Sequence, residues 1–130
     1  LWLGQSGMRV VGIEELPQAV LDAQASAKKN SIDSCTFIEG KVEEHIRKFK
    51  EQDIEIIILD PPRKGCSEWI IKAVSEIRPK KIIYVSCNPS TLARDLARIE
   101  SYDIKDIAVI DLFPQTQHVE TAALLTLNNS

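Results

Sequence analysis

Residues 82 to 95 read Ile-Ile-Tyr-Val-Ser-Cys-Asn-Pro-Ser-Thr-Leu-Ala-Arg-Asp, and their reading decides the fold. Ile82 to Val85 is a short apolar run rich in β-branched residues, which predicts a buried strand. It stops at Ser86-Cys87-Asn88-Pro89. From Ser90 to about Ser101, Leu92, Ala93, Leu96 and Ile99 recur at helical spacing and predict a helix. A strand feeding directly into a helix is the unit from which parallel sheets are built.

The same alternation extends in both directions. Upstream, Arg9 to Ile13 predicts a strand ending at Glu14-Glu15. Pro17 opens a helix to about Asn30, because a missing N–H costs nothing in a first turn. Thr36 to Ile38 predicts a second strand, Val42 to Phe49 a helix, Ile54 to Leu59 a third strand, and Glu68 to Ile77 a helix with Trp69, Ile70, Ala73, Val74 and Ile77 on one side. Downstream, Ile104 to Phe113 and Thr121 to Leu127 predict two strands with no helix between them. The expected architecture is an open α/β sheet, mostly parallel with an antiparallel end and covered on both faces. Ligands of such sheets bind beyond the carboxyl ends of the strands. Glu14, Asp60 and Cys87 each follow a strand and are expected to share one crevice.

The chain has 130 residues, 44% of them hydrophobic and 27% charged, which suits a globular domain and excludes collagen-like, disordered and coiled-coil classes. No apolar run approaches the ~18–20 residues that span a bilayer, so no membrane partner is expected. Sixteen Lys+Arg against nineteen Asp+Glu give a net charge of −3, which excludes a module that holds nucleic acid by net charge alone. Cys35, Cys66 and Cys87 have neither metal nor redox spacing, and Cys35 and Cys66 read as reduced thiols of an intracellular, cytoplasmic protein. His45 and His118 have no partner at metal-ligand spacing, so no metal is expected.

Four stretches carry chemistry. Glu14 has two acceptor oxygens that match adjacent ribose hydroxyls, although an acid before the Pro17 helix also suits that helix's positive end. Asp60-Pro61-Pro62-Arg63-Lys64-Gly65 is a stiff turn after a strand. Its basic pair and Gly65 leave room for a phosphate or a close backbone approach. Cys87 precedes the N-terminus of the Ser90 helix, where the dipole favours the nucleophilic thiolate, although a free cysteine is more often a small buried apolar residue. Arg94 and Asp95 pair or position a polar substrate. Glu120 ends the polar connection Pro114–Glu120 and is a general base if it shares the thiol's crevice; otherwise it is a solvated rim residue.

In their order, Val-Val-Gly-Ile-Glu, Leu-Asp-Pro-Pro-Arg-Lys-Gly, Ile-Tyr-Val-Ser-Cys-Asn-Pro-Ser-Thr-Leu-Ala-Arg-Asp and Asp-Leu-Phe-Pro-Gln-Thr-Gln-His-Val-Glu resemble the S-adenosylmethionine-dependent RNA 5-methyluridine methyltransferases of tRNA and rRNA. The resemblance runs from about Arg9 to the end. It implies a Rossmann-like class I methyltransferase sheet, S-adenosylmethionine as cofactor and RNA as partner. It makes Cys87 the nucleophile and Glu120 the base. Glu14 becomes the ribose contact and Asp60 the contact near the methionine end. Arg63, Lys64 and Arg94 become a local basic patch.

The likeness also has gaps. The family's first strand, with its Gly-rich cofactor loop, has no counterpart here, and neither has its N-terminal RNA-binding part. Residues 1–130 are therefore expected to be a partial catalytic domain cut through its cofactor loop, with Leu1 to Gly7 the tail of a helix. The missing strand would lie between the Arg9 and Ile54 strands. Either those two close on each other, or another chain fills the gap. Two other readings compete with uridine methylation. A non-catalytic α/β fragment would bind neither cofactor nor RNA usefully. A methyltransferase of exocyclic amines would need an aromatic residue after the prolines, where Arg63 stands, and would leave Cys87 unexplained.

Overall fold

The structure, a computed structural model, describes residues 1–111 and 119–128. The chain divides into two compact units, Leu1–His45 and Ile46–Ser130.

The first unit contains α1 (Trp2–Gln5), β1 (Val10–Glu14), α2 (Pro17–Lys29), β2 (Cys35–Glu39) and α3 (Val42–His45). β1 and β2 pair in parallel, from Val10 opposite Cys35 to Glu14 opposite Glu39, with α2 as the crossover. Pro17 lies in the first turn of α2, and Asn30 closes the helix with its amide on the Ser26 carbonyl at 2.8 Å. Lys28 and Lys29 in the last turn complement the helix dipole. α1 lies against the start of β2. A Cβ on Gly4 would come within 2.8 Å of Ile32 Cγ2, and the Ser34 hydroxyl donates to the Gly4 carbonyl at 3.0 Å.

The second unit contains a 3-10 turn (Ile46–Phe49), β3 (Ile56–Leu59), α4 (Glu68–Ile77), β4 (Lys81–Ser86), α5 (Pro89–Leu96), β5 (Tyr102–Ile110) and β6 (Glu120–Leu127). Its sheet has the order β3-β4-β6-β5. β3 and β4 are parallel, while β6 is antiparallel to both β4 and β5. β6 alone therefore runs against the other three strands, and it supplies the antiparallel end. Burial alternates along β4, with Ile82 and Tyr84 inside, opposite Leu125 and Ala123 of β6. These residues, with Leu59, Ile71, Val74 and Ile77, are the core of this unit. Each large aliphatic among them contributes ~1.5–3 kcal/mol by leaving water.

Several expectations are corrected. Only Val42–His45 of the predicted 42–49 helix is α-helical; a tighter 3-10 turn follows. β3 starts at Ile56, not Ile54, because Gln52 and Ile54 are held in a turn, the Ile54 N–H donating to the Gln52 carbonyl at 3.0 Å. On α4 the expected Ala73, Val74 and Ile77 are buried, but Ile71 joins them while Trp69 and Ile70 are only half-buried. α5 ends at Leu96, not near Ser101, because the chain turns back into β5 through Ser101 at φ 67°. On α5, Ala93 faces solvent and Asp95 is fully buried. The sheet of the second unit is not covered on both faces, since Ile56 and Ile58 are 39% and 48% exposed. The described strands form two sheets rather than one. The expected direct pairing of the Arg9 and Ile54 strands is not made, and β1 and β3 each keep one edge unpaired among the described residues. No helix of the described residues is long and apolar enough to cross a membrane.

Candidate active site

Three of the four singled-out residues lie at one end of the second unit's sheet. Leu59 pairs with Tyr84 at the carboxyl end of the parallel β3–β4 ladder, so Asp60 and Cys87 leave adjacent strands on the same side. The antiparallel β4–β6 ladder ends with Ser86 opposite Thr121. Cys87 follows Ser86 and Glu120 precedes Thr121, so both lie at that end of the ladder. Cys87 and Glu120 are half-buried and Asp60 is exposed. Cys35, Cys66 and Cys87 form no disulfide among the described residues, and Cys66 is the buried one. Glu14 belongs to the first unit, where it ends β1 and is exposed. Val119 and Glu120 are described, but residues 112–118 of the polar connection, His118 included, lie outside the described residues.

The backbone around Cys87 is held from both sides. The Ser86 hydroxyl donates to the Asn88 carbonyl and accepts from the Asn88 N–H, both at 3.0 Å, so residues 86 and 88 clasp each other across the cysteine. Asn88 is the N-cap of α5, its side-chain oxygen accepting the Ser90 N–H at 3.1 Å. Pro89 follows in the first turn, where its fixed φ suits a helix start.

The Asp60–Cys66 turn is pinned to one face of α5. Asn88 Nδ2 and Thr91 Oγ1 both donate to the Arg63 carbonyl, at 3.4 and 3.2 Å. Arg94 Nη2 donates to the Lys64 carbonyl at 2.8 Å. The Cys66 N–H donates to Asp95 Oδ2 at 2.8 Å. Asp95 is wholly buried and also accepts from the Tyr84 hydroxyl at 2.5 Å and from Arg94 Nε at 2.9 Å. Burial, followed by the hydrogen bond to Asp95, raises the Tyr84 phenol far above the usual tyrosine range. Of the two openings that sequence left for Gly65, the structure shows the close approach. Gly65 has φ 79°, and a Cβ there would fall on Asp95 Oδ2 and 2.6 Å from Arg94 Nη2.

This revises the basic patch. Arg63 and Lys64 are exposed, whereas the Arg94 guanidinium is committed to Asp95 and the Lys64 carbonyl. Asp95 faces the turn's backbone and not an open substrate site. Two signals for this cluster were in the sequence. Residues 88, 91, 94 and 95 share a helical face, and a tyrosine hydroxyl inside an apolar strand needs a buried partner.

The residues also bear on a nucleotide-type cofactor. The Glu14 carboxylate accepts the Leu16 N–H at 2.9 Å through Oε1, which orients it and leaves acceptor capacity on the other oxygen. The helix-start reading of Glu14 is thus met, since Leu16 is the N-cap of α2. In the second unit, Asp60 is exposed at the end of β3. Acids at strand carboxyl ends fit the hydroxyl and ammonium donors of such a group.

The sequence model of the tRNA (uracil-5-)-methyltransferase family matches residues 2–128. The chain belongs to that family. An uncharacterised RNA methyltransferase of Oceanobacillus iheyensis is 45% identical over 134 residues, covering 100% of this chain and 29% of that protein. One from Clostridium acetobutylicum is 43% identical over 129 residues, covering 96% of this chain and 28% of that protein. The chain therefore spans less than a third of the length of these relatives. Among solved structures, the Pyrococcus abyssi tRNA (uracil-54, C5)-methyltransferase in complex with S-adenosyl-L-homocysteine superposes with a TM-score of 0.85 at 33% identity. That match covers 96% of this chain and 30% of that one. The Rossmann-like α/β methyltransferase fold is thereby shared.

Proposed function

We propose that this chain is the catalytic part of an RNA methyltransferase that moves a methyl group from S-adenosylmethionine to C5 of a uridine in tRNA or rRNA. The observation that carries the reading is that Asp60, Cys87 and Glu120 lie at the same end of the second unit's sheet, where the β4–β6 ladder closes with Ser86 opposite Thr121. Family membership and the S-adenosyl-L-homocysteine held by the Pyrococcus abyssi relative support the cofactor.

C5 of uracil is a weak nucleophile. The Cys87 thiolate overcomes this by adding to C6, which pushes the electron pair of the C5–C6 double bond onto C5 and the adjoining carbonyl as an enolate. When bound, S-adenosylmethionine supplies an electrophilic methyl group on a sulfonium sulfur. C5 then carries both the methyl group and its original hydrogen. Glu120 takes that proton, the C5–C6 double bond re-forms, and the Cys87–C6 bond breaks to return the thiolate. On this chain, Glu14 would hold the cofactor's ribose and Asp60 the methionine end. Arg63 and Lys64 supply positive charge for the RNA backbone, a short-range contribution that does not need a positive net charge.

Methyl transfer to uridine by the protein at its full genomic length tests the reading. Cys87→Ala is expected to lower it by about 10³-fold or more. Transfer at the wild-type rate would refute the covalent route. Glu120→Gln is expected to stall after methyl transfer, so that a covalent protein–RNA species accumulates; release of methylated RNA at the normal rate would remove Glu120 as the base. A non-catalytic segment is the second reading, favoured by the unpaired edges of β1 and β3. Calorimetric titration of residues 1–130 with S-adenosylhomocysteine separates the two, since tight binding would end the second.

A further inference from the structure

Asp95 is a fully buried carboxylate for which the chemistry above has no use. Burying a charge with a partner is seldom a gain in stability, because well-packed apolar residues serve as well or better. Its bonds have one direction. Through Asn88, Thr91, Arg94 and Asp95, α5 reaches the backbone of Arg63, Lys64 and Cys66 in turn, and Gly65 has no Cβ so that the carboxylate can close against it. Pro61 and Pro62 have no N–H, the Gly65 N–H bonds back within the turn to the Pro62 carbonyl at 2.8 Å, and the Arg63 and Lys64 side chains are in solvent. The other end of the clamp is the helix whose cap fixes the backbone on either side of Cys87.

We propose that Asp95 is a positioning residue for methyl transfer: with Arg94 it clamps the Asp60–Cys66 turn onto the helix that follows Cys87, and so holds Asp60 in register with the thiol. This rests on the function proposed above. Tyr84 completes the clamp by donating to the same carboxylate from the middle of β4, which ties the turn to the strand that delivers Cys87. A group acting this way changes the rate more than the binding of either substrate, because misplacement of reacting groups by ~1 Å costs about 10²-fold.

The test uses the full-length protein, with steady-state methyl transfer to RNA and hydrogen exchange followed by mass spectrometry. Asp95→Asn keeps the shape but turns an amide N–H₂ or a single oxygen toward the Arg94 guanidinium. It is expected to lower kcat by about 10²-fold while the KM for RNA and the affinity for S-adenosylhomocysteine stay within about threefold. Exchange is expected to quicken in residues 60–66 and nowhere else. Arg94→Gln, at a half-exposed position with little risk to folding, is expected to move the same readouts in the same direction by about tenfold, and it decides the matter if Asp95→Asn does not fold. A folded Asp95→Asn protein with kcat within about twofold of wild type would overturn the proposal. So would exchange that quickens throughout the second unit, with activity lost in proportion to the folded fraction. If the wild-type protein methylates no uridine, the function above fails by itself. Faster exchange confined to 60–66 would then still uphold the clamp, and unchanged exchange there would overturn it.

Discussion

At Gly65 a single missing Cβ decides whether the turn closes on Asp95. The φ of 79° is strained for any side chain, and the space is already taken by Asp95 Oδ2 and Arg94 Nη2. Gly65→Ala is expected to destabilise the protein by about 1–3 kcal/mol and to lower the rate as Asp95→Asn does. Chemical denaturation and a kcat measurement check this; unchanged values for both would mean that the turn tolerates a shift. Asn88→Ala removes the α5 cap and one of the two bonds to the Arg63 carbonyl. The cap alone is worth about 1 kcal/mol, so a loss in the denaturation midpoint of that size is expected. Glu14 meets the helix-start reading. Its bond to the Leu16 N–H is the helix-start role, and the same bond orients the carboxylate beyond the end of β1.

At the scale of elements, the strands and most helices were legible because apolar periodicity and Pro17, Asn30 and Glu68 mark their limits. α4 was predicted over its full range, Glu68–Ile77. The misreadings share a cause. Leu92, Ala93, Leu96 and Ile99 suggest a regular apolar stripe, but tertiary contacts turned α5 so that Asp95 went inside and Ala93 outside. Periodicity assigns a face by hydrophobicity and cannot foresee a charged residue buried to bind a loop. The juxtaposition of Asp60, Cys87 and Glu120 was half legible. Strand ends gave Asp60 and Cys87, while the place of Glu120 at the same end depends on β6 pairing antiparallel with β4, which no local pattern in the sequence specifies. The elements also differ in how much each holds the fold. Leu125 in β6 is 1% exposed and Val109 in the edge strand β5 is 69% exposed. Leu125→Ala is expected to cost about 2–5 kcal/mol and Val109→Thr less than about 0.5 kcal/mol in urea unfolding. Equal costs would contradict a core centred on β4 and β6.

For the molecule as a whole, alkaline titration reports on the buried hydroxyl that joins β4 to α5. Burial raises both tyrosines, Tyr84 far more than Tyr102, whose rise the Arg78 guanidinium opposes. A phenol whose folded value lies above its unfolded value adds stability that is complete below about pH 10 and declines as pH climbs above it. The Tyr84 share of the tyrosinate absorbance is therefore expected only when the fold is lost, and Tyr84→Phe should flatten the alkaline loss of stability. Full ionisation of both tyrosines near pH 10 with the fold intact would contradict this. The covalent route is the central claim, and 5-fluorouridine in the RNA tests it most directly. Fluorine at C5 leaves no proton for Glu120 to remove, so the thiolate cannot be released after methyl transfer. Mass spectrometry of the full-length protein incubated with S-adenosylmethionine and such an RNA should find one methylated nucleotide adduct, attached to Cys87 and absent from Cys87→Ser. Methylation of ordinary uridine with no Cys87-linked adduct on the fluorinated RNA would contradict the account.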